Sequence, residues 1–162
     1  MLIILFGYPA SGKNFVGEIM KDDFNFFFYD GDNDLTPEIK KLVKQGRIVR
    51  EKLRDDYFRK LIKKLEKLQR KYTNIVFSQA FTKEKHRKLF AKHFPNAKFL
   101  FIETPTDIIC QRLKDRKHLI DEAYAKKIMS YYETPKITHQ IITNDSKKKE
   151  IKIQLRKILN IK

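Results

Sequence analysis

An apolar run, Leu2-Ile3-Ile4-Leu5-Phe6, passes directly into Gly7-Tyr8-Pro9-Ala10-Ser11-Gly12-Lys13-Asn14. That junction constrains the fold more than any other feature of the chain. A short continuous apolar run reads as a strand buried on both faces of a sheet. Two glycines separated by four residues then permit backbone conformations that turn successive N–H groups inward, making a nest for phosphate oxygens. The helix expected from about Gly12 to Met20 adds its positive end, and Lys13 supplies a mobile charge for β- and γ-phosphates. Residues 7–14 are therefore read as a phosphate-binding loop, the alternative being a glycine-rich turn with a chance lysine. The usual Ser or Thr at the last position, whose hydroxyl binds Mg²⁺, is Asn14, whose amide oxygen can ligate Mg²⁺ directly or through water.

The remaining pattern alternates short apolar strands with longer amphipathic helices, which predicts an α/β fold with a five-stranded parallel sheet in the order 2-3-1-4-5. Strands are expected at Phe26–Tyr29, Asn74–Ser78, Ala97–Ile102 and Gln140–Thr143. One long helical stretch follows the second strand, carrying Leu53, Tyr57, Leu61, Leu65 and Leu68 at helical spacing. Further helices are expected at Lys83–His93, Thr106–Leu113 and Asp121–Tyr132. Asn144-Asp145-Ser146 reads as the N-cap of a last helix, and the charged, aperiodic segment Lys114–Ile120 as a mobile lid loop. With no low-complexity linker, the 162 residues are expected to form a single domain. Ligands of such folds sit beyond the carboxyl ends of the strands.

Asp30-Gly31-Asp32 closes the second strand, beside the loop in this architecture. Paired acids there can order the hydration shell of Mg²⁺ and orient an acceptor hydroxyl, which phosphoryl transfer needs because its transition state asks chiefly for alignment and charge neutralisation. An ordinary Asp/Gly turn has the same composition. Arg112 and Arg116, four apart on one helix face, can clamp phosphates, or form surface pairs with Asp115 or Glu122. Cys110 reads as a packed thiol, and the four scattered histidines show no ligand-like spacing. Phe24, Phe26, Phe27, Phe28 and Tyr29 read as core rather than a base-stacking platform.

Charge is lopsided, with 36 Lys+Arg against 20 Asp+Glu. A field of that sign favours anionic ligands and admits a nucleic-acid partner, although lysines spread over solvated helix faces produce the same sum. No apolar run is long enough to span a membrane. No basic leader with a cleavage site precedes the first strand, and a lone cysteine excludes an internal disulfide. A cytoplasmic monomer or homodimer without membrane contact is the expectation.

The loop, Asp30-Gly31-Asp32, Gly46 and Arg54 together resemble the gluconate kinase family, a branch of the shikimate-kinase-like small-molecule kinases. The resemblance continues through Ser78-Gln79-Ala80-Phe81, Asp107, the run from Arg112 to His118 and Tyr131-Tyr132-Glu133-Thr134-Pro135. It implies ATP and Mg²⁺ as cofactors, Lys13 on the transferring phosphate, Asp30 near the metal and Asp32 on the acceptor hydroxyl. It further implies Arg54 on a substrate carboxylate, with Arg112 and Arg116 closing over ATP. The sequence departs from the family pattern at Leu35-Thr36-Pro37, Arg50-Glu51-Lys52-Leu53, Gln79 and Thr82, so the acceptor pocket is rebuilt and more basic. If the helix carrying Arg54 starts earlier than expected, Arg50 or Arg47 takes its place; Arg54 can alternatively pair with Glu51, Asp55 or Asp56 on the surface.

These readings converge on an ATP-dependent kinase transferring the γ-phosphate to a hydroxyl of a small anionic acceptor, a gluconate-like sugar acid or polyol. Alternatives are a nucleoside, nucleotide or polynucleotide kinase, and a nucleotide-binding regulator that has lost catalysis.

Overall fold

The computed structural model describes residues 1–115, 121–145 and 147–161. Strand β1 (Leu2–Phe6) lies at the centre of the sheet, because both its faces are apolar and every one of its side chains is buried. It is flanked by β3 (Ile75–Ser78) and β4 (Lys98–Glu103), with β2 (Phe27–Asp30) and β5 (Gln140–Thr143) at the edges. Every pairing is parallel, for example Ile4 opposite Phe77 and Phe99. The expected order 2-3-1-4-5 is what forms.

Alternation along β1 splits the core. Leu2, Ile4 and Phe6 pack with Ile39, Phe58, Leu61 and Leu65, which come from α2 (Pro37–Lys44) and α3 (Glu51–Gln69); Phe90, from α4 (Glu84–His93), completes that face. Ile3 and Leu5 face Val16, Ile19, Ile151 and Leu155, from α1 (Lys13–Phe24) and α7 (Lys148–Leu159). Helices α5 (Thr106–Asp115) and α6 (Glu122–Ser130) bury Ile109, Leu113 and Ala125 against Tyr8 and Ala10 of the loop.

Three expectations are corrected. The long helical stretch after β2 is three elements: a 3₁₀ turn Gly31–Asp34, then α2, then α3. Thr36 Oγ1 caps α2 by accepting from Ile39 N–H at 3.3 Å with Pro37 in the first turn, and Gly46, at φ 65°, takes the left-handed conformation that stops it. Helix α5 continues through Lys114 to Asp115, so the first residues assigned to the lid are helical. Residues 116–120, with Arg116 and His118, lie outside the described residues. The N-cap of α7 is Lys147, not the Asn144–Ser146 segment; the Asn144 side chain is engaged elsewhere, and Ser146 too lies outside the described residues.

Candidate active site

Because all five strands run the same way, the residues after β1, β2, β3, β4 and β5 gather along one edge of the sheet. The loop between β1 and α1 turns there. Gly7 has φ 153°, and a Cβ on it would meet the Ile102 carbonyl at 2.7 Å. Gly12, at φ 85°, would meet Asn144 Nδ2 at 2.2 Å. Neither position tolerates a side chain.

The loop is held from two other strand ends. Thr104 Oγ1, after β4, donates to the Ser11 carbonyl at 2.8 Å, and Asn144 Nδ2, after β5, donates to the same carbonyl at 2.8 Å. Arg112 Nη1 donates to the Ala10 carbonyl at 3.1 Å, and Arg112 Nη2 to Asn144 Oδ1 at 3.4 Å. Arg112 thus stands beside the loop. Pro9 and the half-buried Tyr8 form the loop's outer turn, Tyr8 packing on Tyr132 with ring centroids 4.5 Å apart.

Lys13 Nζ donates to the Tyr8 carbonyl at 2.8 Å and the Gly7 carbonyl at 3.3 Å. Burial lowers its pKa to about 8, against the opposing pull of Asp32 and Asp30. Among the described residues no carboxylate lies within ion-pair distance of it. Its charge is therefore only partly compensated, by the more distant Asp32 and Asp30.

Asn14 bridges two strand ends: Nδ2 donates to Asp30 Oδ2 at 2.5 Å, and Oδ1 accepts from Ser78 Oγ at 2.8 Å. This orientation follows from chemistry, since an ionised carboxylate only accepts while a hydroxyl can donate. Asp30, Asp32 and Ser78 offer oxygen ligands and Asn14 adds an amide oxygen, a set that suits Mg²⁺. Among the described residues no three or more His, Cys, Asp or Glu side chains form a metal-holding group by themselves.

Asp30 also caps the 3₁₀ turn, Oδ1 accepting from Asp32 N–H at 3.0 Å. Asp32 Oδ1 accepts from Gln79 Nε2 at 3.2 Å; that same nitrogen donates to Tyr57 Oη at 2.7 Å, and Tyr57 Oη donates to the Gly31 carbonyl at 2.6 Å. Gln79 Oε1 accepts from Ala80 N–H at 2.7 Å, which fixes the amide's orientation. Desolvation by the surrounding protein and the like charge of Asp30 push the Asp32 carboxyl above the usual carboxylate range, while Lys13 and Gln79 pull the other way. Asp32 still opens onto the cleft, so its carboxyl is crowded by protein on one side without being cut off from an acceptor.

Asp32 and Arg54 line one cavity of about 170 Å³, with Pro9, Tyr57, Gln79 and Thr82 among its walls. Arg54 Nη1 donates to Thr82 Oγ1 at 3.3 Å and Nη2 to the Val49 carbonyl at 3.1 Å. The surface pairings open to it are taken by others: Asp56 by Arg59, Glu51 and Asp55 by Lys85. Burial lowers the pKa of its guanidinium. Arg54 is thus a half-buried cation facing a cavity, and the structure brings it, Asp32, Lys13, Asn14, Asp30 and Arg112 to one edge of the sheet. Arg116 lies outside the described residues.

Four residues of this site, Thr104, Asn144, Gln79 and Tyr57, were not legible as such. Tyr57 had only core spacing, Gln79 was only a departure from a family pattern, and Asn144 resembled a cap. None carries a local signal for bonds made to residues far away in sequence.

The family described as AAA domain, AAA_33, matches residues 2–135. The shikimate kinase of Persephonella marina is 28% identical over 135 residues, covering 83% of this chain and 80% of that protein. A sugar kinase from a Janibacter species superimposes with a TM-score of 0.85 at 16% identity, over 99% of this chain and 94% of the other. A gluconokinase from Sinorhizobium meliloti gives 0.79 at 18% identity, over 98% and 93%. The expected likeness to gluconate kinases is met at the level of fold. With the nest, its lysine and the strand order all in place, the chain belongs to the AAA domain family AAA_33 and has a P-loop kinase fold.

Proposed function

We propose that the chain transfers the γ-phosphate of ATP to a hydroxyl of a small anionic acceptor, a sugar acid or polyol of gluconate-like size. The observation that carries this reading is the shared cavity: Asp32 and Arg54 line one pocket while Lys13 stands among the same strand ends. The gluconokinase, sugar kinase and shikimate kinase likenesses support it.

In the proposed mechanism the loop amides of residues 7–14 and Lys13 hold the β- and γ-phosphates, and Arg112 neutralises charge from the α5 side. Asp32 accepts the hydroxyl hydrogen bond and takes the proton as the phosphoryl group transfers; a raised pKa makes it a better base at neutral pH than an ordinary aspartate. Tyr57 and Gln79 keep that carboxylate aimed. Arg54 offers a planar fork to the acceptor's carboxylate. Mg²⁺, held through Asp30 and Asn14 with water, would neutralise phosphate charge. Arg116 is assigned to closing over the nucleotide.

The test is an acceptor screen that follows ATP consumption with gluconate, shikimate, nucleosides and short oligonucleotides. Salt-insensitive turnover of a hydroxy acid supports the proposal. Turnover of oligonucleotide ends with an affinity that falls steeply with salt supports the polynucleotide alternative. Nucleotide binding without turnover on any acceptor supports the regulator.

A further inference from the structure

Arg54 lines a second cavity, of about 420 Å³, on the side away from Asp32. Its walls include Arg50, Lys83, Lys85 and His86, with Glu51 and Glu133 as the carboxylates. The cations outnumber the acids, and the pairing is uneven. Lys83 bonds Glu133 at 3.1 Å, and Lys85 bonds Glu51 and, at 2.7 Å, Asp55. Among the described residues neither Arg50 nor Arg54 has a carboxylate within ion-pair distance.

Two helices begin at this cavity. Helix α4 starts at Lys83, and its first amide, Glu84 N–H, donates to Glu133 Oε2 at 2.7 Å. That carboxylate shows the chemistry the wall accepts: an anion between a helix N-terminus and a lysine. Helix α3 starts at Arg50 with no side-chain cap, so its first-turn amides have no such partner. His86 closes the inner wall of this cavity. It is 2% exposed, stacks on Phe58 with ring centroids 4.1 Å apart, and bonds Asp55 through Nε2 at 2.7 Å. Its buried Nδ1 has no partner among the described residues. Burial disfavours the charged ring while Asp55 favours it.

We infer that this cavity is a second anion site, taking a phosphate or carboxylate group at the uncapped start of α3, on Arg50 and the outer side of Arg54. The inference deepens the kinase reading, because Arg54 is the wall shared with the acceptor cavity. An acceptor reaching past Arg54 would carry anionic groups at both ends, and its hydroxyl would lie toward Asp32. A guanidinium with two of its five N–H donors in use has donors left for both sides.

The experiment is titration calorimetry on the full chain with three probes: gluconate, anionic at one end; glucarate, anionic at both; and inorganic phosphate. The variants are Arg50→Gln and, as a control on the same helix, Lys63→Gln, whose exposed side chain lies away from the cavity. If the anion belongs to the acceptor, glucarate binds the parent about tenfold or more tighter than gluconate. Arg50→Gln removes most of that gain and Lys63→Gln keeps it, a charge-assisted bond being worth roughly that factor. If the anion is free, inorganic phosphate binds, Arg50→Gln weakens it about tenfold, and the two acids do not differ. Both outcomes support the site. No effect of Arg50→Gln on any probe, or an equal effect of Lys63→Gln, overturns it. These readouts do not require turnover, so a failed acceptor screen would remove the kinase reading and leave the anion site standing or falling separately.

Discussion

Replacing Lys13 by Met should abolish nucleotide binding and yet stabilise the nucleotide-free fold at neutral pH. Unfolded, the lysine has its ordinary pKa of 10.5; folded, desolvation lowers it to about 8. The native state therefore holds a proton that the burial disfavours, and that gap corresponds to about 3 kcal/mol. Below pH 8 both the folded and unfolded parent carry the proton, so the difference from Lys13→Met is constant. Between pH 8 and 10.5 only the unfolded chain still holds it, and the parent gains stability relative to the variant as pH rises. The loss of the bonds to Tyr8 and Gly7 moves the whole difference by about 1–2 kcal/mol without altering its pH dependence. For a domain of this size, a swing of about 3 kcal/mol shifts the Tm difference by roughly 6–12 °C. Thermal unfolding of both proteins without nucleotide, from pH 7 to pH 10.5, reads it directly. A Tm difference that stays flat across that range would refute the argument that Lys13 is a desolvated, poorly compensated charge.

Arg54→Lys should raise the acceptor KM about tenfold while moving the ATP KM less than about twofold, because the charge remains but the bidentate fork is lost; equal changes in both would remove Arg54 from the acceptor. Asn14→Ser should lower the Mg²⁺ concentration giving half-maximal activity, since a hydroxyl replaces an amide whose N–H now faces Asp30, and an unchanged requirement separates this position from the metal. Gln79→Leu deletes the bond that favours ionised Asp32. The acid limb of kcat/KM should therefore move to higher pH, and a limb that stays in place would mean that Asp32 is not the group it reports.

The strands and their order were legible because β1, β3 and the centre of β4 are buried on both faces, which demands unbroken apolar runs that few other structures use. The phosphate loop was legible for a related reason: its function is carried by backbone amides, so its signature is glycine spacing within one short segment. Asp30 and Asp32 followed from adjacency to that loop. The break between α2 and α3 was not seen, although Thr36, Pro37 and Gly46 all mark it, because basic residues (Lys41, Lys44, Arg47, Arg50, Lys52) recur on both sides of it and across it. Asn144 misled because Asn-Asp-Ser is cap-like chemistry locally, whereas its amide is committed to Ser11 at the far end of the chain. Gln79 could not be assigned from sequence at all, since its role exists only where Asp32 and Tyr57 converge on it.

The double hold on the Ser11 carbonyl has a thermodynamic side. Thr104 and Asn144 remove the loop's conformational freedom during folding, so phosphate meets a nest that loses little further entropy when it binds. Reciprocity then runs the other way: a ligand that selects the ordered loop must also favour the docked state of the strands that order it. Nucleotide bound at the beginning of the chain would therefore slow the local opening of β5 and the start of α7. Substitutions in that distant C-terminal segment would be felt as changes in nucleotide affinity by residues that never touch the nucleotide.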